Sequence, residues 1–207
     1  MSPCPGLAPH CVTIALTLDS KQVRVPPHDW RVLSGGQGPR LVAFHGAGAS
    51  ADSMAPLLEA LAPRFSVFAP DLPGHNKTRL GAPNRSGLAA MAEDTARMVT
   101  ETFGVPDVVV GHSAGGAVAL QTDDIWPDAK RVLINPALTP FDGAAGWVFP
   151  RLARALGCAP FAASAFSQSF SKQSRIRSRL ENTGSPVTDE ALLRYGRLAA
   201  NQDHIKG

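Results

Sequence analysis

Val108-Val109-Val110-Gly111-His112-Ser113-Ala114-Gly115-Gly116-Ala117-Val118-Ala119-Leu120 is the stretch that decides the fold. The three valines read as a strand buried on both faces, and the small residues after Ser113 as a helix that packs closely on its neighbours. Between them, Gly111-His112-Ser113-Ala114-Gly115 fits G-x-S-x-G, the nucleophile elbow, in which a serine sits on a strained strand-to-helix turn with its Oγ exposed. Glycines two before and two after the serine are needed because strand and helix pass too close for a Cβ. Five letters alone match by chance, so the strand before and the helix after carry the identification.

Working outward, the same alternation repeats. Leu41-Val42-Ala43-Phe44 is a short apolar run ending in the glycine-rich His45-Gly46-Ala47-Gly48-Ala49. Met54, Leu57, Leu58 and Leu61 then recur at helical spacing, with Ser53 expected as N-cap and Pro56 in the tolerant first turn. Phe65–Ala69 reads as the next strand, closed by the turn-rich Pro70-Asp71-Leu72-Pro73-Gly74-His75-Asn76. Leu88, Met91, Thr95, Met98 and Thr102 trace a second helix face with Ser86 expected as its cap, and Arg131–Ile134 is one more strand. Continuous rather than alternating apolar strands, separated by helices, imply an α/β fold: a mostly parallel sheet covered on both faces. After Asn135 the pattern changes. Leu152–Leu156 and Leu192–Ala199 read as helices, the second capped by Thr188, and nothing from residue 137 to 207 reads as a strand. The expected division is a core over 1–137 and a helical cap or lid over 138–207.

Composition narrows the class. With 207 residues, 44% apolar and 18% charged, the chain has the usage of a globular domain and enough length for one good core. Its 19 Gly and 18 Pro fall short of a low-complexity composition. The longest apolar runs, such as Val12–Leu18, which suits a strand, are far from a membrane span, and no basic n-region marks a signal peptide. A cytoplasmic protein is expected. Three cysteines, Cys4, Cys11 and Cys158, without CxxC spacing, argue against a disulfide framework and a zinc site, and no metal or cofactor is expected. The net charge of +3 divides unevenly: residues 1–147 are net −2 and residues 148–207 net +5. The basic cluster Lys172, Arg175, Arg177 and Arg179, with Arg151 and Arg154, is either a solvated surface or a site for carboxylates or an acidic partner face. No nucleic-acid motif accompanies it.

The strand ends carry the candidate chemistry. A serine nucleophile needs backbone N–H groups aimed at the developing oxyanion, and losing one such donor typically costs ~3 kcal/mol. The residue after the nucleophile, Ala114, supplies one, and Ala47 in the loop after the earlier strand supplies the other. Ala47 must be small to leave the acyl site open. His45, Gly46, Gly48 and His112 are expected to surround the substrate. Of the histidines, His45 and His75 read as loop-orienting hydrogen-bonders, and His112 as packed or hydrogen-bonded beneath the corner. Asp123, Asp124 and Asp128 read as exposed helix-end charges. A rival reading exists in the same place: Gly46-Ala47-Gly48-Ala49-Ser50-Ala51 matches G-x-G-x-x-G/A after a strand, and Asp71 follows where a ribose-binding acid belongs. That NAD(P)-binding oxidoreductase reading gives His45 no role and leaves Gly111–Gly116 unexplained.

Taken together, His45-Gly46-Ala47-Gly48, Ala69-Pro70-Asp71-Leu72-Pro73-Gly74-His75, Gly111–Gly116 and Leu133-Ile134-Asn135-Pro136-Ala137 resemble the α/β-hydrolase fold from its third to its sixth strand. Within it, Asn135–Phe141, Thr183-Gly184-Ser185, Leu193-Arg194-Tyr195 and His204 are similar to the magnesium-chelatase accessory hydrolases of bacteriochlorophyll synthesis, the BchO type. The resemblance covers residues 28–207. Asn76 stands where such proteins usually have glycine, a replacement Asn can serve because it enters the left-handed region. Thr122-Asp123-Asp124 interrupts the helix after Ser113 where an apolar continuation is usual. The resemblance implies a serine hydrolase acting on an ester-like carbonyl, a small-molecule substrate of the tetrapyrrole kind, and magnesium chelatase subunits as partners; the alternative is a non-catalytic accessory or porphyrin-binding protein. It also implies that an acid and a histidine follow Ser113 on loops after a seventh and an eighth strand. The one histidine after Ser113 is His204, and no further strands are legible, so the chain is expected to be truncated, with the last strands and two members of the triad missing.

Overall fold

The computed structural model describes residues 18–138, 176–178, 181 and 187–200. The expected strand at Val12–Leu18, apart from its last residue, the expected helix at 152–156, most of the basic cluster and His204 lie outside the described residues.

Six strands form one sheet in the order β1-β2-β4-β3-β5-β6. They are β1 (Asp19–Val25), β2 (His28–Gly35), β3 (Arg40–Phe44), β4 (Ser66–Pro70), β5 (Val108–His112) and β6 (Lys130–Ile134). β3 pairs in parallel with both β4 and β5, and β5 with β6; β2 joins β4 antiparallel, and β1 joins β2 antiparallel. Helix α1 (Ala51–Leu61) covers one face of the sheet, and α2 (Leu88–Thr102) with α3 (Ala114–Gln121) the other. A fourth helix, α4 (Asp189–Ala200), follows. Along β3 the two faces alternate: Leu41 and Ala43 pack toward α1, while Val42 and Phe44 pack with Met98, Val99, Val118 and Trp126. Two buried faces are the reason β3 reads as an unbroken apolar run.

The hairpin of β1 and β2 is not legible as apolar runs because its buried positions include polar side chains. His28 and Arg31 are buried alongside Trp30, Val32 and Leu33. His28 is satisfied by Asp94 and by the Gly81 N–H, and Arg31 by Asp52, Asp71 and Ser20. Long-range partners that no local pattern announces make a polar strand buriable.

Helix starts differ from the expectation in detail. The N-cap of α1 is Ser50, not Ser53, which places Pro56 in the second turn; the N-cap of α2 is Gly87, not Ser86. Leu88 and Thr102 are exposed, and the buried face of α2 runs instead through Met91, Ala92, Asp94, Thr95, Met98 and Val99. Asp94 is buried there because Arg85 approaches it at 2.8 Å and His28 at 3.2 Å. Burial alone raises a carboxyl's pKa, but the Arg85 and His28 hydrogen bonds and charges outweigh it and hold Asp94 below the ordinary value of 3.8. α3 ends where Thr122-Asp123-Asp124 begins. Thr122 is buried with its Oγ1 on the Ala119 carbonyl, and the Arg131 guanidinium collects the carbonyls of Ala119, Thr122, Trp126 and Ala129. One side chain from β6 thus terminates the helix and ties it to the sheet. Asp123, Asp124 and Asp128 are exposed as expected, and Asp123 pairs with Arg131 at 3.0 Å.

Candidate active site

Three loops at the carboxyl edge of the parallel strands build the site. The first, after β5, turns into α3 at Ser113, whose φ of 54° and ψ of −120° are unusual for a residue with a side chain. Its backbone is pinned on both sides: its N–H donates to the Ile134 carbonyl at 3.0 Å, and its own carbonyl accepts from Gly116 and Ala137, both at 2.9 Å. Strain of this kind costs roughly 1–3 kcal/mol and survives only where neighbours over-determine it, as the end of β6 does here. A Cβ on Gly111 would lie 2.5 Å from the Gly115 carbonyl oxygen, and one on Gly115 2.3 Å from that of Phe44. Both glycines are therefore demanded by close approach, as the spacing predicts. No hydrogen bond engages the Ser113 Oγ among the described residues.

The second loop follows β3. His45 is fully buried and fixes that loop to the next one: Leu72 N–H donates to Nε2 at 2.9 Å, so the proton sits on Nδ1, which donates to the Gly46 carbonyl at 2.8 Å. With both nitrogens engaged inside the protein, His45 orders the loop and does not face the cleft. Gly48 has a positive φ of 66° and open space beside it. Ala47 is exposed, and neither its N–H nor that of Ala114 at the first position of α3 donates to an acceptor among the described residues.

The third loop, after β4, holds Asp71 at zero exposure. Its carboxylate accepts the Ala51 N–H at 2.8 Å, the Asn76 amide at 2.8 Å and Arg31 at 3.5 Å. Burial pushes the Asp71 carboxyl above its ordinary pKa, partly offset by Arg31 and by the Ala51 and Asn76 hydrogen bonds. Asn76 takes a positive φ of 48°, the conformation that lets it replace glycine. His75, also buried, bonds the Pro73 carbonyl at 3.1 Å, and burial lowers its pKa. Asp71 therefore does not wait for a ribose. It occupies the N-terminus of α1, where a pyrophosphate would have to sit, with a carboxylate of the same charge sign. The dinucleotide reading does not fit this chain.

A cleft of about 280 Å³ opens over these loops, lined by Gly46, Ala47, Ala49, Ser53, Met54, Leu57, His112, Ser113, Ile134 and Tyr195. Of the expected site residues it gathers Ser113, Ala47, Gly46 and His112. His112 is exposed and borders the cleft instead of packing beneath the corner. Six further described lining residues, Ala49, Ser53, Met54, Leu57, Ile134 and Tyr195, were not legible as site residues. Met54 and Leu57 read as core positions of α1, Ile134 as the end of a strand, and Tyr195 as one letter of a helix; only the tertiary arrangement brings them to one place. Thr188 caps that helix as expected, through the Ala191 N–H at 3.1 Å. Among the described residues no cluster of His, Cys, Asp or Glu could hold a metal, and no helix is long and apolar enough to cross a membrane.

The sheet order, the helices on both faces and the strained serine corner define a hydrolase-type α/β fold. Residues 41–203 match the alpha/beta hydrolase family, and the chain belongs to that family. The magnesium-chelatase 30 kDa subunit of Rhodobacter capsulatus is 41% identical over 186 residues, 89% of this chain, which spans 66% of that relative's length. Human protein phosphatase methylesterase 1 is 36% identical over 94 residues, 43% of this chain and 24% of its own. Among solved structures, an epoxide hydrolase without ligand superposes with a TM-score of 0.74 at 22% identity, over 92% of this chain and 71% of that one, a likeness of fold alone.

Proposed function

We propose that the protein is a serine-type hydrolase of an ester-like carbonyl. The observation that carries this reading is the Ser113 corner: an Oγ without a hydrogen-bond partner among the described residues, held on a strained turn beside the unengaged amides of Ala47 and Ala114 at the edge of a cleft. In the reaction Ser113 Oγ bonds to the carbonyl carbon as its proton passes to a base, and the carbonyl electrons move onto oxygen. The Ala47 and Ala114 amides hold that oxyanion. Its collapse breaks the bond to the alkoxide, which takes the proton and leaves; water then releases the acyl group from Ser113 by the same steps. The base and its orienting acid are not among the described residues. In this reading, residues from 138 onward cover the cleft as a lid, and the protein works in the cytoplasm.

The likeness to a magnesium-chelatase subunit supports a narrower setting, in which the substrate is a tetrapyrrole ester and the chelatase subunits are partners. It equally supports a second reading, an accessory protein that binds a porphyrin without turnover. Hydrolysis of short 4-nitrophenyl esters by the protein as its cell makes it separates the two. Catalysis predicts a loss on the order of 10⁴- to 10⁶-fold in kcat for Ser113→Ala. Rates unchanged by that substitution overturn the hydrolase reading, and porphyrin binding that is equal in the protein and in Ser113→Ala then favours the accessory one.

A further inference from the structure

The cleft beside Ser113 has a wall that the reaction does not use. α4 is anchored by Leu192 and Leu198, both buried, and Tyr195, three positions from each, shares their face. Leu193, on the opposite face, is 55% exposed. Tyr195 is thereby carried into the cleft, where it is the sole contribution of α4 among the described lining residues. Its surroundings are apolar or backbone on two sides, Ala49, Met54 and Leu57 from the α1 region and Ile134 from β6. No described lining residue carries a carboxylate, an ammonium or a guanidinium. The Tyr195 hydroxyl has no hydrogen-bond partner among the described residues, so its donor and acceptor capacity is open to whatever fills the cleft.

We propose that Tyr195 is a specificity-determining residue: its phenol hydrogen-bonds a neutral polar group on an uncharged substrate whose apolar chain lies against Met54, Leu57 and Ile134. This rests on the cleft being the substrate site, but not on Ser113 being reactive. A phenol suits this task because it gives one directed hydrogen bond with few rotatable bonds to order. Among the described lining residues an anionic substrate would meet no lysine or arginine, and burying a charge without an opposite partner is costly.

The test uses inert amides in place of esters, so that binding is read without turnover. Tyr195 is the only tyrosine in the chain, and ring-¹³C-tyrosine therefore gives a single reporting signal. The protein is titrated with N-(2-hydroxyethyl)butanamide and with N-butylbutanamide, which lacks the hydroxyl. Both are expected to shift the Tyr195 signal saturably. Affinity in Tyr195→Phe is followed through methyl-¹³C-methionine at Met54, in the same cleft. The hydroxy amide is expected to weaken about five- to tenfold, the value of one hydrogen bond, and the alkyl amide to stay within twofold. No saturable shift with either amide overturns the proposal, as does an affinity for the hydroxy amide that stays within twofold in Tyr195→Phe. A Ser113 that fails to react with esters while the amide pattern holds would overturn the hydrolase reading and leave Tyr195 as a binding residue.

Discussion

Two strands that flank β3 in one sheet each lead into a polar side chain, and the two ends are built in opposite ways. After β4, Asp71 is completely enclosed and every lobe of its carboxylate is occupied, by Ala51, Asn76, Arg31 and, at 3.4 Å, the Lys77 N–H. After β5, Ser113 is half-buried, its backbone is fixed on both sides, and its Oγ is left without a partner among the described residues. Both residues follow an apolar strand and precede a turn. The difference teaches that polarity at a strand end does not mark a reactive group. A side chain whose bonding capacity is consumed holds loops together, whereas one held rigid and left open can do chemistry.

The largest effect is expected from breaking the enclosed end. Asp71→Ala leaves Arg31, 6% exposed, without its buried counter-charge and strips the cap from α1; a loss of about 3–5 kcal/mol in urea unfolding is expected. A loss below about 1 kcal/mol would show that the network contributes little. Next comes the closeness of the Ser113 corner to its neighbours. Gly115→Ala drives a methyl against the Phe44 and His45 carbonyls, where a Cβ would sit at 2.3 and 2.5 Å, and is expected to destabilise by about 1–3 kcal/mol, read as a lower thermal midpoint. A smaller effect belongs to Asp94, the second buried carboxyl among the described residues, and it depends on pH. Its folded pKa lies below 3.8, so near that pH the unfolded chain binds more protons. The stability that Asp94 gives is fully present above about pH 4 and fades as the pH falls through the folded value. The gap in melting temperature between the protein and Asp94→Asn should therefore hold steady above about pH 5 and narrow as the pH falls below about 4, and a gap constant throughout would assign the effect to packing instead. The smallest effect sharpens the open end. Ser113→Gly places a residue without a Cβ at φ 54° and is expected to raise stability by up to ~1 kcal/mol, where Asp71→Gly lowers it.

The same contrast explains what could be read from the sequence. β3, β5 and the Ser113 corner were legible because each obeys a local rule: continuous apolar residues for a strand buried on both faces, and glycine wherever two backbones nearly touch. Asn76 was legible for a similar reason, since its positive φ is a property of one residue. The β1–β2 hairpin was not, because His28 and Arg31 are made buriable by Asp94, Gly81 and Asp71, residues 40 to 66 positions away. Nor was the cleft wall. Leu57 sits at helical spacing with core residues and packs against them, yet it also lines the cleft that holds Ser113. For His112 the sequence leaves two places open, around the substrate or packed beneath the corner, because adjacency to a strained serine does not fix which way the preceding side chain leaves the strand; the exposed ring at the cleft agrees with the first.

The account's central claim is that Ser113 is an activated nucleophile and not merely a strained turn. Treatment of the native protein with a fluorophosphonate, followed by intact-mass measurement and peptide mapping, tests it most directly. One adduct on the peptide containing Ser113, absent in Ser113→Ala while the melting temperature stays unchanged, is the predicted result. A protein that remains unmodified, or an adduct that persists in Ser113→Ala, would contradict it.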